Sequence, residues 1–363
     1  MTSDILINIL NLRAKNIKIG KKTIGYQQPT YVIAEAGVNH NGNINIALEM
    51  IKKAELSGAD AIKFQTFKAP QVCLPQTQTA QYQKNNTGRA NQIDLLKKLE
   101  LKDSDYPKLI SKAKSLGIEF LSTPHGHIDS VKFLKNLGIS AYKIGSGDIT
   151  NIPLLKYLSK QNLPIILSTG MATIPEIKKA LSCFKKNKQL AVLHCITAYP
   201  TPIEEANISA IFDLYKNFPE VLIGYSDHTI CEEAILTAVS YGASIIETHF
   251  TLDKKLAGPD QKASFNPQEL KNLISKIRII EKIIGTGFKK PHAYELKTAE
   301  IVRKSITTYQ QIKKGDLLSE KNLTIKRPSI NGIPPDLWIK IIGKKAGKDI
   351  PKNVQLKKGD WVD

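Results

Sequence analysis

Residues 241–264 read YGASIIETHFTLDKKLAGPDQKAS, and the way this stretch begins decides the fold. Ser244, Ile245 and Ile246 make a short apolar strand. Glu247 and His249 follow at its carboxyl end, two apart and so on one face. The pattern repeats upstream, where Val221-Leu222-Ile223-Gly224-Tyr225 runs into Ser226-Asp227-His228. Two apolar strands each finish in a histidine, 21 residues apart, with a helical stretch between them. In a barrel of parallel strands, successive strand ends lie side by side on one face. His228 and His249 are then expected to meet as a two-histidine metal site. Either histidine alone reads more readily as a satisfied core or rim residue; the matched placement is what favours a metal.

Outward from these two strands the same beat fills the chain. Apolar runs occur at Tyr31–Ala36, Ala61–Gln65, Glu119–Ser122, Ala141–Ile144, Ile165–Ser168, Leu190–Cys195, Val221–Tyr225 and Ser244–Glu247. Helical stretches separate them, one with Ala47, Met50, Ile51 and Ala54 in phase, another with Leu270, Leu273, Ile274, Ile277 and Ile280 behind the capping pair Asn266-Pro267. Continuous apolar strands alternating with amphipathic helices mean parallel strands covered on the outside. Eight such units predict an α/β fold, a closed (β/α)₈ TIM barrel over 31–285. An open doubly wound sheet is the alternative, but no glycine-rich dinucleotide fingerprint follows any strand. Residues 1–30 read as a hairpin around Gly20-Lys21-Lys22 that caps the bottom of the barrel. The connection from Thr66 to Gln92 is long and rich in Gln, Asn and Thr, and reads as a lid or a dimer contact. After a linker over 286–299 the beat is lost. Residues 300–363 read as a small β-rich domain in which Ile312-Lys313-Lys314-Gly315-Asp316 and Leu356-Lys357-Lys358-Gly359-Asp360 are near-copies of one turn.

Composition narrows the function. The chain has 363 residues, 42% of them hydrophobic, enough for a sizeable core. No run of 18 apolar residues predicts a membrane span. The N-terminus lacks a basic region before its apolar stretch and a small-residue cleavage site, so no secretory signal is read. Cys73, Cys183, Cys195 and Cys231 form no CxxC pair, which fits a reduced, cytoplasmic setting. The net charge of +19 is carried mostly by scattered lysines. No basic run interleaves with aromatics, so nucleic acid is not expected as a partner. From Thr286 onward there are 17 basic and 8 acidic residues, a net of +9. The positive field favours a phosphorylated or carboxylated small substrate.

Polar residues at the carboxyl ends of barrel strands read as active-site residues. Strand one buries Glu35 within an apolar run, which costs several kcal/mol unless the carboxyl is paired or protonated. Strand two places Lys63 and Gln65 on one face; Lys63 snorkelling from the strand end is the plain alternative. Strand three ends in Ser122-Thr123-Pro124. Strand four, YKIGSGD over 142–148, is the most specific signal: Gly145 and Gly147 admit close backbone N–H groups, Ser146 adds a hydroxyl and Lys143 a cation. It reads as a phosphate cradle, or else Lys143 is a Schiff-base lysine as in barrel aldolases. Strand five contributes Ser168 and strand six Thr197, while His194 reads as a packed strand residue. Two imidazoles with open positions suit Mn²⁺ or Mg²⁺ better than catalytic zinc, which more often has three protein ligands. A non-catalytic sugar- or nucleic-acid-binding protein is the remaining reading.

Taken in order, IAEAGVNHNG, IKFQTF, LSTP, YKIGSGD, LSTGM, HCITAYPTP, GYSDHT and ETHFTLDKKLAGPDQKAS resemble the sialic acid synthase family. RKSI, IKKGDLLSEKNL and KRP resemble that family's C-terminal antifreeze-like SAF domain. The resemblance covers nearly the whole chain. It implies condensation of phosphoenolpyruvate with an N-acetylated mannosamine-type sugar and water, with C–O cleavage and phosphate release. It implies that His228 and His249 bind a divalent ion, usually Mn²⁺, and that Glu35 is the acid/base or water-positioning carboxylate. Lys63, Thr123, Lys143, Ser146, Ser168 and Ser226 match positions that hold phosphoenolpyruvate, and Thr197 stands near them. Gln65, Tyr199 and Asp260 match the sugar side, with Asp148 where some members have Glu. Thr197 follows Ile196 where members have Asn or Ser after Thr, so a contact made there by an amide is not expected. Arg327 looks like the arginine that the SAF domain places over the partner chain's barrel, which implies a domain-swapped homodimer. Among the products, GPDQKAS resembles members making N-acetylneuraminate or diacetyllegionaminate, the former first, and pseudaminate less.

Overall fold

In the computed structural model, residues 16–362 apart from 126 and 188 are described. They form two compact units, divided after Gly285. The first is a closed barrel of eight parallel strands. After a hairpin of β1 (Ile17–Ile19) and β2 (Lys22–Ile24), the barrel strands are β3 (Tyr31–Gly37), β4 (Ala61–Thr66), β5 (Glu119–Pro124) and β6 (Tyr142–Ile144). They continue as β7 (Ile165–Ser168), β8 (Leu190–Cys195), β9 (Leu222–Asp227) and β10 (Ile245–His249), which closes on β3 with His249 opposite Glu35. All eight expected runs are strands; two match in full and the others differ by one or two residues at one end or both.

Side chains alternate between the two faces of a strand. Val32, Ala34, Ile62, Phe64, Tyr142, Val192, Ile223 and Ile246 point outward into one core shared with the helices. The helix Pro267–Ile284 shows how the cover forms. Asn266 caps it by accepting from Glu269 N at 3.0 Å, Glu269 Oε2 accepts from Asn266 N at 2.9 Å, and Leu270, Leu273, Ile274 and Ile277 are buried. The inward set, Ile33, Ala61, Leu121, Ala141, Ile166, Ala191, Leu193, Leu222 and Ile245, forms a second core with Ile17, Ile19 and Ile24 of the hairpin. The hairpin thus packs against the inward layer at the amino end of the strands; residues 1–15 of the expected cap lie outside the described residues.

In the second unit β11 (Ser305–Thr308) pairs antiparallel with β12 (Leu323–Lys326), and β13 (Lys345–Ala346) with β14 (Trp361–Val362). The two near-identical turns are structural copies. Lys313 N donates to Asp316 Oδ2 and Lys357 N to Asp360 Oδ2, each at 2.8 Å, while Ile312 and Leu356 before them are buried. The expected linker needs correction. Residues Ala293–Val302 are a helix, started by His292, whose ring accepts from Tyr294 N, and by Glu295, whose carboxylate accepts from His292 N at 2.7 Å. Among the described residues, no helix is long and apolar enough to cross a membrane.

Candidate functional site

Two residues beyond the plug layer, the inward positions change from apolar to polar. Ile33 is followed by Glu35, Ala61 by Lys63, Leu121 by Thr123 and Ala141 by Lys143. Ile166 is followed by Ser168, Leu193 by Cys195 and Ile245 by Glu247; on β9, Leu222 and Gly224 lead to Ser226. Period-two alternation aims all of these into the carboxyl mouth of the barrel. They line a cavity of about 240 Å³ together with Gln65, Ser146, Thr197, Tyr199, His228, His249 and Asp260. Thirteen of the fifteen residues expected at the site are in this wall. Asp148 is not: its Oδ1 accepts from Asn151 Nδ2 at 3.0 Å and its Oδ2 lies 4.0 Å from His125 Nδ1. Arg327 follows β12 in the second unit and is exposed.

At the floor, Lys63 Nζ lies 2.8 Å from Glu35 Oε2 and donates to Thr123 Oγ1 at 3.1 Å. Lys143 Nζ donates to Ser168 Oγ at 2.7 Å and lies 3.3 Å from Glu247 Oε1. The same Glu247 oxygen accepts from Ser226 Oγ at 3.2 Å and lies 3.9 Å from Lys63 Nζ. Two buried ammonium groups are thus balanced by two buried carboxylates, the arrangement that makes such burial tolerable. Burial, with repulsion from Glu247, pushes the Glu35 carboxyl up despite Lys63. Burial works against the charged forms of Lys63 and Glu247, but their partners outweigh it: Lys63 is held above the usual lysine range and Glu247 below the usual carboxylate range. Burial pulls Lys143 down. Ser146 accepts from Gly170 N at 2.9 Å, and a Cβ on Gly170 would come within 2.1 Å of Thr197 Oγ1. Only glycine lets those two hydroxyls approach the loop after β7.

His228 and His249 do meet: their ring centroids are 5.4 Å apart. His228 Nδ1 donates to Ile196 O at 2.6 Å, which leaves Nε2 as the nitrogen that can coordinate once it has given up its proton. His249 Nδ1 is buried without a partner. Burial, then the positive charges around it, pulls His249 down to about 3, so it is neutral and can act as a ligand. Burial opposes the charged form of His228, but Cys195 and the Ile196 carbonyl outweigh it and hold the ring up to about 9, so an ion binding there would displace a proton. Among the described residues, no three His, Cys, Asp or Glu converge as a metal-holding group. The two imidazoles fit a divalent ion whose other positions are filled by water or substrate oxygens. Tyr199 packs on both rings, at 4.2 Å from His228 and edge-on at 5.7 Å from His249.

Glu247 and Tyr82 were missed as site residues. Glu247 carries a signal in the sequence, a charged residue two before His249 on the same strand face. Tyr82 lies on the short helix Gln81–Thr87 within the long connection after β4, where no periodicity marks it. His194 is packed as expected, its Nε2 3.0 Å from Ala206 O.

Comparison with known proteins gives a consistent result. The profile of the NeuB family matches residues 50–289 and that of the SAF domain residues 303–360. The chain is 47% identical to the N,N'-diacetyllegionaminic acid synthase of Campylobacter jejuni subsp. jejuni serotype O:2, over 88% of this chain and 96% of that protein. It is 41% identical to the protein of the same name from Legionella pneumophila subsp. pneumophila, over 93% of this chain and 96% of that one. Among solved structures, the N-acetylneuraminic acid synthetase of Leptospira borgpetersenii serovar Hardjo-bovis, in complex with citrate, superposes with a TM-score of 0.71 at 37% identity. That match covers 79% of this chain and 96% of that one.

Proposed function

The chain belongs to the NeuB family, and from that premise we propose that it condenses phosphoenolpyruvate with an N-acetylated mannosamine-type sugar and water to give a nonulosonic acid and phosphate. It is a phosphoenolpyruvate-dependent enzyme that forms a carbon–carbon bond. One observation carries the reading: two buried ammonium groups, a ring of hydroxyls and a paired set of imidazoles converge in one cavity at the barrel mouth.

Lys63 and Lys143, with Thr123, Ser146, Ser168 and Ser226, hold the phosphate and carboxylate of phosphoenolpyruvate. The sugar lies towards Gln65, Tyr199 and Asp260, with its aldehyde facing His228 and His249. A divalent ion held by those imidazoles, Mn²⁺ or Mg²⁺, supplies Lewis-acid polarisation of a carbonyl oxygen. C3 of phosphoenolpyruvate attacks the aldehyde carbon, water adds at C2, and the C2–O bond breaks to release phosphate. Glu35, its carboxyl raised by burial and set beside Lys63, is suited to move a proton.

The residues around Gly258-Pro259-Asp260 resemble those of members acting on N-acetylmannosamine or on its diacetamido counterpart, and N-acetylmannosamine is the first acceptor to try. A second reading, a 2,4-diacetamido-2,4,6-trideoxymannose acceptor, is favoured by the 47% and 41% identical relatives named as diacetyllegionaminic acid synthases. A Schiff base at Lys143 is not favoured, because its Nζ is already engaged by Ser168 and Glu247. The test is phosphate release from phosphoenolpyruvate with each sugar in turn, with and without EDTA. Release with one sugar, lost on chelation, is expected. No release with either sugar would remove the reading, and turnover indifferent to EDTA would remove the ion.

A further inference from the structure

The cavity has two kinds of wall. The floor is charged. The facing wall comes from the connection after β4 and is uncharged: Phe67, Val72, Leu96 and Leu99 offer apolar surface, and Tyr82 and Gln92 offer polar atoms. Tyr82 ties this wall to the rest. Its ring stacks on Tyr199 at 5.2 Å and 25°, and burial with the nearby Asp260 carboxylate holds its phenol above the usual tyrosine range. Beside it, Asn86 Nδ2 donates to Pro259 O at 2.7 Å, and an antiparallel bridge pairs Gln78 with Asn91.

Two acceptors in this wall are unmatched. Asp260 Oδ1 and Gln92 Oε1 are buried without a partner. A buried acceptor left without a donor costs about 1–3 kcal/mol, which a bound donor recovers. Apolar surface, an aromatic pair and two unmatched acceptors suit a neutral polyol that carries an acetamido group. Its methyl packs on the apolar side chains and its N–H and O–H groups reach the acceptors.

We propose that residues 67–99 form the acceptor-sugar wall of the cavity and that Tyr82 is its specificity-determining positioning residue, holding Asp260 and Tyr199 in place for the sugar. This rests on the condensation reading above. It adds a residue and a segment that the strand-end pattern does not contain.

The test uses the full-length protein with Tyr82→Phe, which keeps the stack and removes the hydroxyl, and Tyr82→Ala, which removes both. Tyr82→Phe is expected to raise the KM for the accepted sugar roughly tenfold while the KM for phosphoenolpyruvate stays within about twofold. Tyr82→Ala is expected to raise the sugar KM further. Hydrogen exchange gives a readout independent of turnover: both variants should exchange faster over 78–91 and over 253–260, with the melting temperature little changed. Equal shifts in both KM values, or none, in an active enzyme would overturn the proposal, as would unchanged exchange. If wild-type protein turns over neither sugar, the condensation reading fails and the sugar assignment with it; the exchange data then still report whether Tyr82 holds the wall.

Discussion

Asp260 is where side-chain environment and function pull in opposite directions. Burial, then repulsion from Glu35, pushes its carboxyl up to about 6, against an ordinary value of 3.8. An acid whose folded pKa is raised makes the native state bind more protons than the unfolded state between those two values, so stability falls as pH rises through that window. Above pH 6 the full cost, about 2–3 kcal/mol, is present. Asp260→Asn should therefore unfold at higher urea than wild type at pH 7.5, and the gap should close near pH 4. Its sugar KM should rise. A variant no more stable at pH 7.5 would refute the burial argument. Glu247 makes the opposite case. Its carboxylate balances Lys143 and Lys63, and removing one partner of a buried charge set costs about 3–5 kcal/mol. Glu247→Gln should lose that much in urea unfolding, and phosphoenolpyruvate should restore more stability to it than to wild type. Equal stabilisation of both proteins would show that the ligand does not replace the lost charge.

At the scale of elements, the strands were legible and the structure of the long connection after β4 was not, for one physical reason. Barrel strands are buried on both faces, so they appear as uninterrupted apolar runs, and their inward alternation carries the polar residues to the mouth. The helices Ala69–Val72 and Gln81–Thr87 bury almost nothing; the second has no buried residue at all. Contacts at the cavity order them, and such contacts leave no periodic trace. Asp148 was harder to place for a related reason. It ends the short turn Ser146–Asp148, where a strand's alternation no longer says which way a side chain points. The loop after β7 offers a test at this scale. Gly170→Ala would drive a methyl against Thr197 Oγ1 and, at 2.8 Å, Ser146 Oγ. It should raise the KM for phosphoenolpyruvate about tenfold or more while circular dichroism and melting change little. An unchanged KM would place those hydroxyls outside the phosphate site.

For the whole molecule, the excess positive charge and the second unit belong together: net +9 of the total +19 lies in 286–363. The SAF assignment of that unit was legible from its repeated turn and from RKSI and KRP, whereas Arg327 lies in a unit of its own and its role remains a proposal. If Arg327 serves the barrel of a partner chain, two inactive variants should complement. Dimers purified with one chain carrying His249→Ala and the other Arg327→Ala should recover about half of wild-type turnover, because one of their two sites is intact. No recovery would assign Arg327 to its own chain, and an Arg327→Ala protein active by itself would assign it to no site. The isoleucine hairpin has a kinetic consequence as well. Because Ile17, Ile19 and Ile24 seal the far end, the chamber is a cul-de-sac. A molecule seated among the lysines must arrive before one that rests against the tyrosines, and cannot depart ahead of it. Traffic is last in, first out, so the sequence of substrate entry is imposed by a stopper that never touches a substrate.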